Sequence, residues 1–558
     1  MVSISSPLPA NSLRYVSPFS SLFSKPAQAW QGSLDQVAWQ DEEIYQRLQQ
    51  IEQPCYIVRN QDRIGVAQTG RVVTDSNGHA AQTELLAMTP AIALGSLGDP
   101  SFCTAHNTQY AYMAGAMAGG IASEALVIAL GRAKMLACFG SGGLGLDRIE
   151  SAISTIQQAL PNGPYSFNLL HNPHEPAVES ATVDLYLKHR VATVEASAFL
   201  TLTPSIVYYR VAGLRLNAAS QIECHNRVIA KVSRQEVAVQ FMRPAPAKIL
   251  RELIAQGLIT EQQARWAELV PMADDITVEA DSGGHTDNRP LVCLLPAMLA
   301  IRDQIQAERA YTQPVRIGAA GGIATPQSLL SALMMGAAYG VTGSVNQSCL
   351  EAGTSDTVKA LLAQAEMADI MMAPAADMFE MGVKLQVLKK GTLFPMRAQK
   401  LYDTYKGYDA IEQIPLTEQA KLEKQVFRQR LDTVWEKTAS YLAQRNPRKL
   451  ERAQKDPKLK MALMFRWYLG LSSRWARTAE VERQLDYQIW CGPAMGAFNQ
   501  WVKGTYLAAA ESRRVVDVAY HMMMGAAIAY RIQSLRLQGL QLPAHYAQYR
   551  PVHAVVGK

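Results

Sequence analysis

Val315-Arg-Ile-Gly-Ala-Ala-Gly-Gly-Ile-Ala-Thr-Pro-Gln-Ser-Leu-Leu, residues 315–330, is the stretch that decides the fold. Its pattern predicts a strand that runs into a glycine pair and then a helix that begins at Thr325-Pro326. Glycines let backbone N–H groups approach a phosphate closely, and a helix N-terminus adds partial positive charge. The stretch therefore predicts a strand–loop–helix unit that either holds a phosphate or simply turns sharply.

The same unit recurs along the chain, since short apolar runs alternate with amphipathic stretches from about residue 112 to residue 365. Eight strands are predicted, at residues 113–117, 135–139, 165–170, 191–198, 228–233, 276–281, 315–323 and 340–344. Eight such units predict an α/β fold, the (β/α)₈ TIM barrel, whose chemistry lies on the loops that follow the strands.

Three domains are expected: a mixed N-terminal segment (1–90), the barrel (91–368) and a C-terminal helical domain (369–558). The gap between the fifth and sixth strands contains two stretches with helical periodicity. They predict a helical insertion at residues 234–275, which is either a lid or an extended crossover.

Composition narrows the class of protein. The 558 residues are 48% hydrophobic and 18% charged, with a net charge of +6, and this small, scattered excess argues against nucleic acid as a partner. Seven separated cysteines without a CxxC pair predict neither a disulfide framework nor a metal site, which fits a reducing cytoplasm. No apolar run approaches the ~18 residues of a membrane span, so we expect a cytoplasmic protein with no membrane insertion.

Polar and small residues follow several predicted strands. Gly343-Ser344 ends the eighth strand, next to the glycine pair of the seventh, and adjacent loops of this kind form the usual phosphate site of a barrel. After the sixth strand, Gly283-Gly284 would let a flat ligand come close, and His285 titrates in the range suited to proton transfer. Residues 113–123 leave room for a planar ring that Asn168 could contact, although His285 and Asn168 could both be purely structural.

A set of motifs carries a family resemblance: Ala116-Met-Ala-Gly-Gly-Ile-Ala-Ser, Phe139-Gly-Ser-Gly, Phe167-Asn-Leu, Asp281-Ser-Gly-Gly-His, Ala320-Gly-Gly-Ile and Thr342-Gly-Ser. In this order they resemble the nitronate monooxygenase and FabK-type enoyl reductase superfamily, whose barrels bind FMN. Val194-Glu-Ala-Ser-Ala-Phe, Ala373-Pro-Ala-Ala-Asp and Asp486-Tyr-Gln-Ile-Trp-Cys-Gly are similar to the PfaD family, enoyl reductases that serve polyunsaturated fatty acid synthases and some polyketide synthases.

The resemblance implies a trans-acting enoyl reductase. FMN, reduced by NADPH, would pass hydride to the 2,3-double bond of an enoyl thioester held on an acyl carrier protein of a large synthase. A homodimer is also compatible with it.

The implied site residues fall into three groups. The contacts to the phosphate fall on Gly321, Gly322, Gly343 and Ser344, and the other contacts to the cofactor fall on Ala116, Met117, Asn168, Lys231 and Gly284. The catalytic role falls on His285, which would either orient the substrate or donate the proton to the α-carbon. Water could donate that proton instead. Arg243, Lys248 and Arg251 would either steer an acidic carrier protein at the barrel mouth or be plain solvated charges. A nitronate-type flavin oxygenase and a non-catalytic barrel that organises a synthase are the alternatives.

Overall fold

The barrel predicted from the sequence is confirmed. The computed structural model describes residues 13–16, 28–74, 83–171, 173, 175–284 and 286–555. Eight parallel strands close in sequence order: β1 Tyr112–Ala114, β2 Leu136–Phe139, β3 Ser166–Leu170, β4 Thr193–Ser197, β5 Arg227–Val232, β6 Asp275–Glu279, β7 Arg316–Ala320 and β8 Gly340–Thr342. Their carboxyl ends define the mouth of the barrel and their amino ends its base.

Seven helices follow the strands in turn: α1 Glu124–Arg132, α2 Leu146–Ala159, α3 Pro176–Lys188, α4 Pro204–Ala212, α5 Gln235–Met242, α6 Leu291–Arg309 and α7 Pro326–Met334. The predicted start of α7 is confirmed. Thr325 is its N-cap, the Thr325 hydroxyl accepts the Ser328 N–H at 3.2 Å, and Pro326 occupies the first turn.

The eighth helix of the barrel comes from the far end of the chain. Short helices Ser344–Gln347 and Asp356–Ala363 follow β8, but α8, Val515–Leu537, packs between α7 and α1. A side chain at Gly525 would lie 2.5 Å from the Pro326 ring, so glycine permits this close approach. None of the described helices, α8 included, has the length and apolarity needed to cross a membrane.

The segment between β8 and α8 contains a separate helical layer, which we call the cap (residues 370–486). Its antiparallel strands are Ile370–Pro374 and Lys384–Leu388, and its helices are Phe394–Gly407, Leu416–Leu422, Leu431–Arg445, Pro447–Lys455 and Pro457–Thr478. The cap has its own apolar core, whereas helix Ala494–Val502 and α8 belong to the barrel core. We therefore propose, in place of one domain at 369–558, a cap inserted into the barrel.

The predicted insertion between β5 and β6 is an extended crossover, and the expectation of a lid is wrong. Helices Ala247–Ala255 and Glu261–Ala267 pack on the outside of α4. They follow α5, which runs from the mouth to the base. Just before β6 begins, the Met272 N–H donates a hydrogen bond to the Arg243 carbonyl at 3.0 Å, which brings the end of the insertion back to its start. The insertion thus starts and ends at the base.

The expectation that Arg243, Lys248 and Arg251 lie at the barrel mouth is wrong for the same reason, and the surface ion pairs of Arg243 and Lys248 favour the alternative of solvated charges. These residues lie at the base, opposite the mouth. Arg243 pairs with Glu308 at 2.7 Å, and Lys248 lies 4.0 Å from Glu252.

The N-terminal segment lies below the barrel. Its antiparallel sheet has the order Arg63–Ala67, Cys55–Asn60, Glu84–Thr89, Gln28–Gln31 and Arg71–Thr74, and is accompanied by helix Asp41–Gln49. Strand Arg14–Tyr15 pairs with Leu540–Gln541 beyond α8. The buried Arg531 of α8 ties the segment to the barrel, because its guanidinium donates to the backbone carbonyls of Leu48, Gln50, Ile51, Gln53 and Pro90.

Helix Pro100–His106 closes the base around a buried charge cluster. His106 Nε2 lies 2.8 Å from Asp275 Oδ2, and Arg316 Nε donates to Asp275 Oδ1 at 2.6 Å. Burial alone would raise the pKa of Asp275, but Arg316 and His106 outweigh it and lower that pKa to about 2. Asp275 therefore stays ionised and joins β6, β7 and the closing helix.

Candidate functional site

The glycine loops after β7 and β8 lie side by side at the mouth. Gly321 has φ +88°, and a Cβ there would lie 2.8 Å from the Ala280 carbonyl carbon, so only glycine fits against the β6 loop. Gly322 and Gly343 face open space instead, with no described atom within 4 Å of a Cβ at either position. The two loops leave an open cradle of backbone, a kind of surface that can bind an anion.

Ser344, at the edge of this cradle, already contacts the chain beyond the cap. Its hydroxyl accepts the Gly492 N–H at 3.1 Å, next to the buried Cys491. Burial raises the pKa of the Cys491 thiol to about 12, so this cysteine is protonated and not nucleophilic at neutral pH.

The loops after β1 and β2 are locked together. A Cβ at Gly140 would lie 1.7 Å from the Met117 carbonyl oxygen, and the Gly120 N–H donates to the Gly140 carbonyl at 2.8 Å. Ala116 and Met117, both predicted to contact the cofactor ring, are half-buried on this rigid floor.

A buried ion cluster joins the neighbouring strands β4, β5 and β6 at the mouth. Lys231 Nζ lies 3.3 Å from Glu195 Oε1 and 3.6 Å from Glu279 Oε1. Burial lowers the pKa of Lys231, but the two carboxylates outweigh burial and hold that pKa above its ordinary value. Lys231 is therefore a fixed cation rather than a proton donor.

Glu195 also connects the cluster to the floor. Its Oε2 accepts the Ala116 N–H at 3.3 Å, and its Oε1 accepts the Ser197 hydroxyl at 3.3 Å. The carboxylate is completely buried. Sequence reasoning missed Glu195 and Glu279, although an acid inside an apolar strand, as in Val194-Glu-Ala and Val278-Glu-Ala, was an available signal.

Asn168 lies in the middle of β3, and its amide N–H groups are engaged. Nδ2 donates to the Glu195 carbonyl at 3.0 Å and to the Ser197 hydroxyl at 2.9 Å. Only the side-chain oxygen of Asn168 is left for a ligand.

The loop after β6 is held against the cap. Gln386 Nε2 donates to Asp281 Oδ1 at 2.6 Å, and a Cβ at Gly283 would lie 3.2 Å from the Cys491 N. Gly284 is exposed at the end of this contact. His285, the predicted catalytic residue, lies outside the described residues.

The cap reaches the opposite rim as well. Arg477 donates to the Gly119 carbonyl of the β1 loop, and the charge of Glu175, after β3, acts on the pKa of Lys449. Burial is the larger influence and lowers that pKa. Gln386 and Arg477, which sequence reasoning also missed, thus fasten the cap over both sides of the mouth.

A cavity of about 680 Å³ opens where α5 and α6 begin. It is lined by Ser233, Arg234, Asp287, Arg289 and Cys293, among others. It lies between the loops after β5 and β6, so it gives a side opening at the level of the mouth.

Comparison with known proteins agrees with this architecture. The nitronate monooxygenase family model matches residues 101–432, more than half of the chain. The N-terminal domain of the fatty acid synthase subunit PfaD matches residues 30–91, and the inserted helical domain of acyl-carrier-protein S-malonyltransferase matches residues 408–487. The fold and site therefore define an oxidoreductase barrel of the nitronate monooxygenase class.

Individual relatives narrow this class. The crystal structure of the enoyl reductase domain of MlnA from Bacillus amyloliquefaciens is 39% identical, with a TM-score of 0.76, and covers 80% of this chain and 100% of that one. A polyunsaturated fatty acid synthase subunit of Thraustochytrium sp. is 51% identical over 79% of this chain, and the polyketide biosynthesis protein PksE of Bacillus subtilis is 44% identical over 81%. The chain spans only 30% and 58% of these two curated relatives. The chain belongs to the nitronate monooxygenase family, in its PfaD group.

Proposed function

We propose that the chain is a trans-acting enoyl reductase that uses FMN and NADPH on enoyl thioesters of an acyl carrier protein, in the synthesis of polyunsaturated fatty acids or polyketides. One observation carries the proposal: the match to the MlnA enoyl reductase domain extends over all of that domain. A cytoplasmic location is part of the same proposal.

The residues at the mouth fit FMN. The open cradle of Gly321, Gly322 and Gly343 would hold the phosphate, and the floor at Ala116 and Met117 would lie under the ring. The chemistry that bound FMN supplies is the transfer of hydride from NADPH to the β-carbon of the enoyl group.

The chain's own groups would position and shield that reaction. Lys231 presents a fixed positive charge within the mouth, and Glu195 holds both this cation and the Ala116 N–H in place. The cap excludes water from above. The contact between Gln386 and Asp281 steadies the loop that carries His285, for which substrate orientation or α-carbon protonation remains the proposed role.

The phosphate cradle can be tested with a matched pair of glycine variants. Gly322→Asp places a carboxylate in the cradle, so we expect the purified protein to lose bound FMN and NADPH-dependent crotonyl-thioester reduction. Gly257→Asp is the control, because Gly257 has a similar φ (+71° against +74°) and equally open surroundings, but lies in the base insertion. Full flavin content in Gly322→Asp would show that the phosphate binds elsewhere.

A nitronate-type oxygenase is the second candidate, because that family's model matches residues 101–432. Anaerobic oxidation of NADPH on addition of a crotonyl thioester supports the reductase. Oxygen consumption with a nitronate, and no reaction with the thioester, would favour the oxygenase. A protein that binds no FMN even after reconstitution would favour the non-catalytic barrel.

A further inference from the structure

One face of the cap combines exposed apolar side chains with clustered arginines. We call it the docking patch, and it consists of Leu393, Met396, Leu485, Arg397, Arg428 and Arg483. The Leu393 N–H donates to the Leu485 carbonyl at 2.8 Å, which brings these two side chains together, and Met396 follows in the first turn of helix Phe394–Gly407. Met396 is 66% exposed and Leu485 46%. Adjacent exposed apolar residues of this kind mark contact surfaces.

The patch contains three arginines that share one carboxylate. The buried carboxylate of Asp486 faces the guanidinium of Arg483 at 3.3 Å, that of Arg428 at 3.6 Å and that of Arg397. Tyr468 donates to the same carboxylate at 2.7 Å. Three cations around one carboxylate give the cluster a formal charge of +2, and the exposed carboxylates of Glu480 and Glu482 adjoin it in the chain. Arg428 is the most exposed of the three arginines, at 34% of its side chain, and the shared anchor holds all three in fixed positions.

The patch also lies within reach of the mouth. Gln386, which contacts Asp281 at the mouth, precedes Leu393 by seven residues of chain, a span of at most about 25 Å. Three of its six residues, Arg428, Arg483 and Leu485, lie within residues 408–487, which match the inserted helical domain of an enzyme whose named substrate is acyl carrier protein.

We infer that the docking patch binds the acidic surface of the acyl carrier protein that delivers the enoyl thioester. Apolar side chains would form the centre of the contact, and the arginines would attract and orient the acidic partner. This inference rests on the proposed function, because it names the surface through which the carrier-bound substrate arrives.

The test uses the full-length flavin-loaded protein and two methionine variants. Met396→Glu places a like charge opposite an acidic partner, whereas Met334→Glu is the matched control, because Met334 is 67% exposed at the base end of α7. Affinity for a labelled carrier protein is measured by fluorescence anisotropy. Reduction is measured with a carrier-bound crotonyl thioester and with a crotonyl thioester of N-acetylcysteamine.

We expect Met396→Glu to weaken carrier binding and raise the KM for the carrier-bound substrate about tenfold or more, with the small thioester unaffected. Met334→Glu should change neither. The inference would be overturned if Met396→Glu bound the carrier protein as tightly as the wild type, or if it lost equal activity with both substrates. It would also be overturned if Met396→Glu changed the oligomeric state measured by sedimentation, because the patch would then be a self-association surface.

The two proposals fail separately. If the wild type reduces neither thioester, the proposed function fails, while the anisotropy measurement still decides whether the patch binds carrier protein. If the wild type reduces both and Met396→Glu behaves as wild type, only the docking inference fails.

Discussion

Replacing Lys231 by methionine tests whether the buried cluster at the mouth is held together by charge. Lys231→Met keeps the length of the side chain but leaves two carboxylates facing each other, Glu195 at 0% side-chain exposure and Glu279 at 15%. Removing one partner from a buried ion pair costs about 3–5 kcal/mol, and the partial exposure of this cluster places the loss near about 3 kcal/mol.

The loss should depend on pH in a defined direction. Without the cation, two ionised carboxylates face each other in a poorly solvated site, and binding a proton relieves their repulsion. The folded protein then binds protons more readily than the unfolded chain, so the defect is largest at pH 8.5 and shrinks towards pH 5.5. Urea denaturation at the two pH values measures both quantities.

Two further variants complete this experiment. Lys231→Met combined with Glu195→Gln removes a positive and a negative charge together, and we expect it to recover most of the lost stability at pH 8.5. Lys359→Met is the control, because Asp356, the ion-pair partner of Lys359, is 97% exposed. Any loss of stability in Lys359→Met should therefore be the same at pH 5.5 and pH 8.5. A Lys231→Met protein as stable as wild type at pH 8.5, or no rescue by Glu195→Gln, would refute the reasoning.

Two other predictions concern the base and the loop after β6. Since the pKa of Asp275 is lowered from 3.8 to about 2, its stabilisation is present above about pH 4 and disappears as the pH falls through about 2. Asp275→Asn should therefore lose at least about 2 kcal/mol of unfolding free energy at pH 7. Its thermal stability should also fall less steeply than that of the wild type as the pH is lowered, and an equally steep fall would contradict this assignment. His285→Ala should retain FMN, measured by absorbance, but reduce crotonyl thioester at least about tenfold more slowly, and a wild-type rate would exclude a chemical role for His285.

The barrel strands could be predicted because each is a local pattern: a short apolar run, a small-residue loop and an amphipathic helix. The position of α8 could not. Residues 513–537 can be interpreted from the sequence as an amphipathic helix, but in the structure α8 is buried on almost every side, and its sequence does not indicate which helices it packs against. The amphipathic pattern of residues 416–442 predicts one continuous helix, whereas in the structure Arg428, with φ +53°, separates helix Leu416–Leu422 from helix Leu431–Arg445. Local periodicity does not encode such tertiary contacts.

The glycine loops of the candidate site were visible for the same local reason, since positive φ and close backbone approach demand glycine. The ion cluster was not, because Lys231, Glu195 and Glu279 lie on three different strands, and only the pairing of β4, β5 and β6 brings them together. The site remains a prediction from motifs, to which the structure adds the groups that hold it.

The order in which the barrel is completed has a consequence for biosynthesis. The ribosome releases β1 to β8 first, then the entire cap, and only afterwards α8, the helix that covers the seam between α7 and α1. During translation the seam stays uncovered, with apolar side chains exposed, until residue 537 has left the exit tunnel. A chain truncated between the cap and α8 should therefore be captured by chaperones even though every strand of its barrel is present.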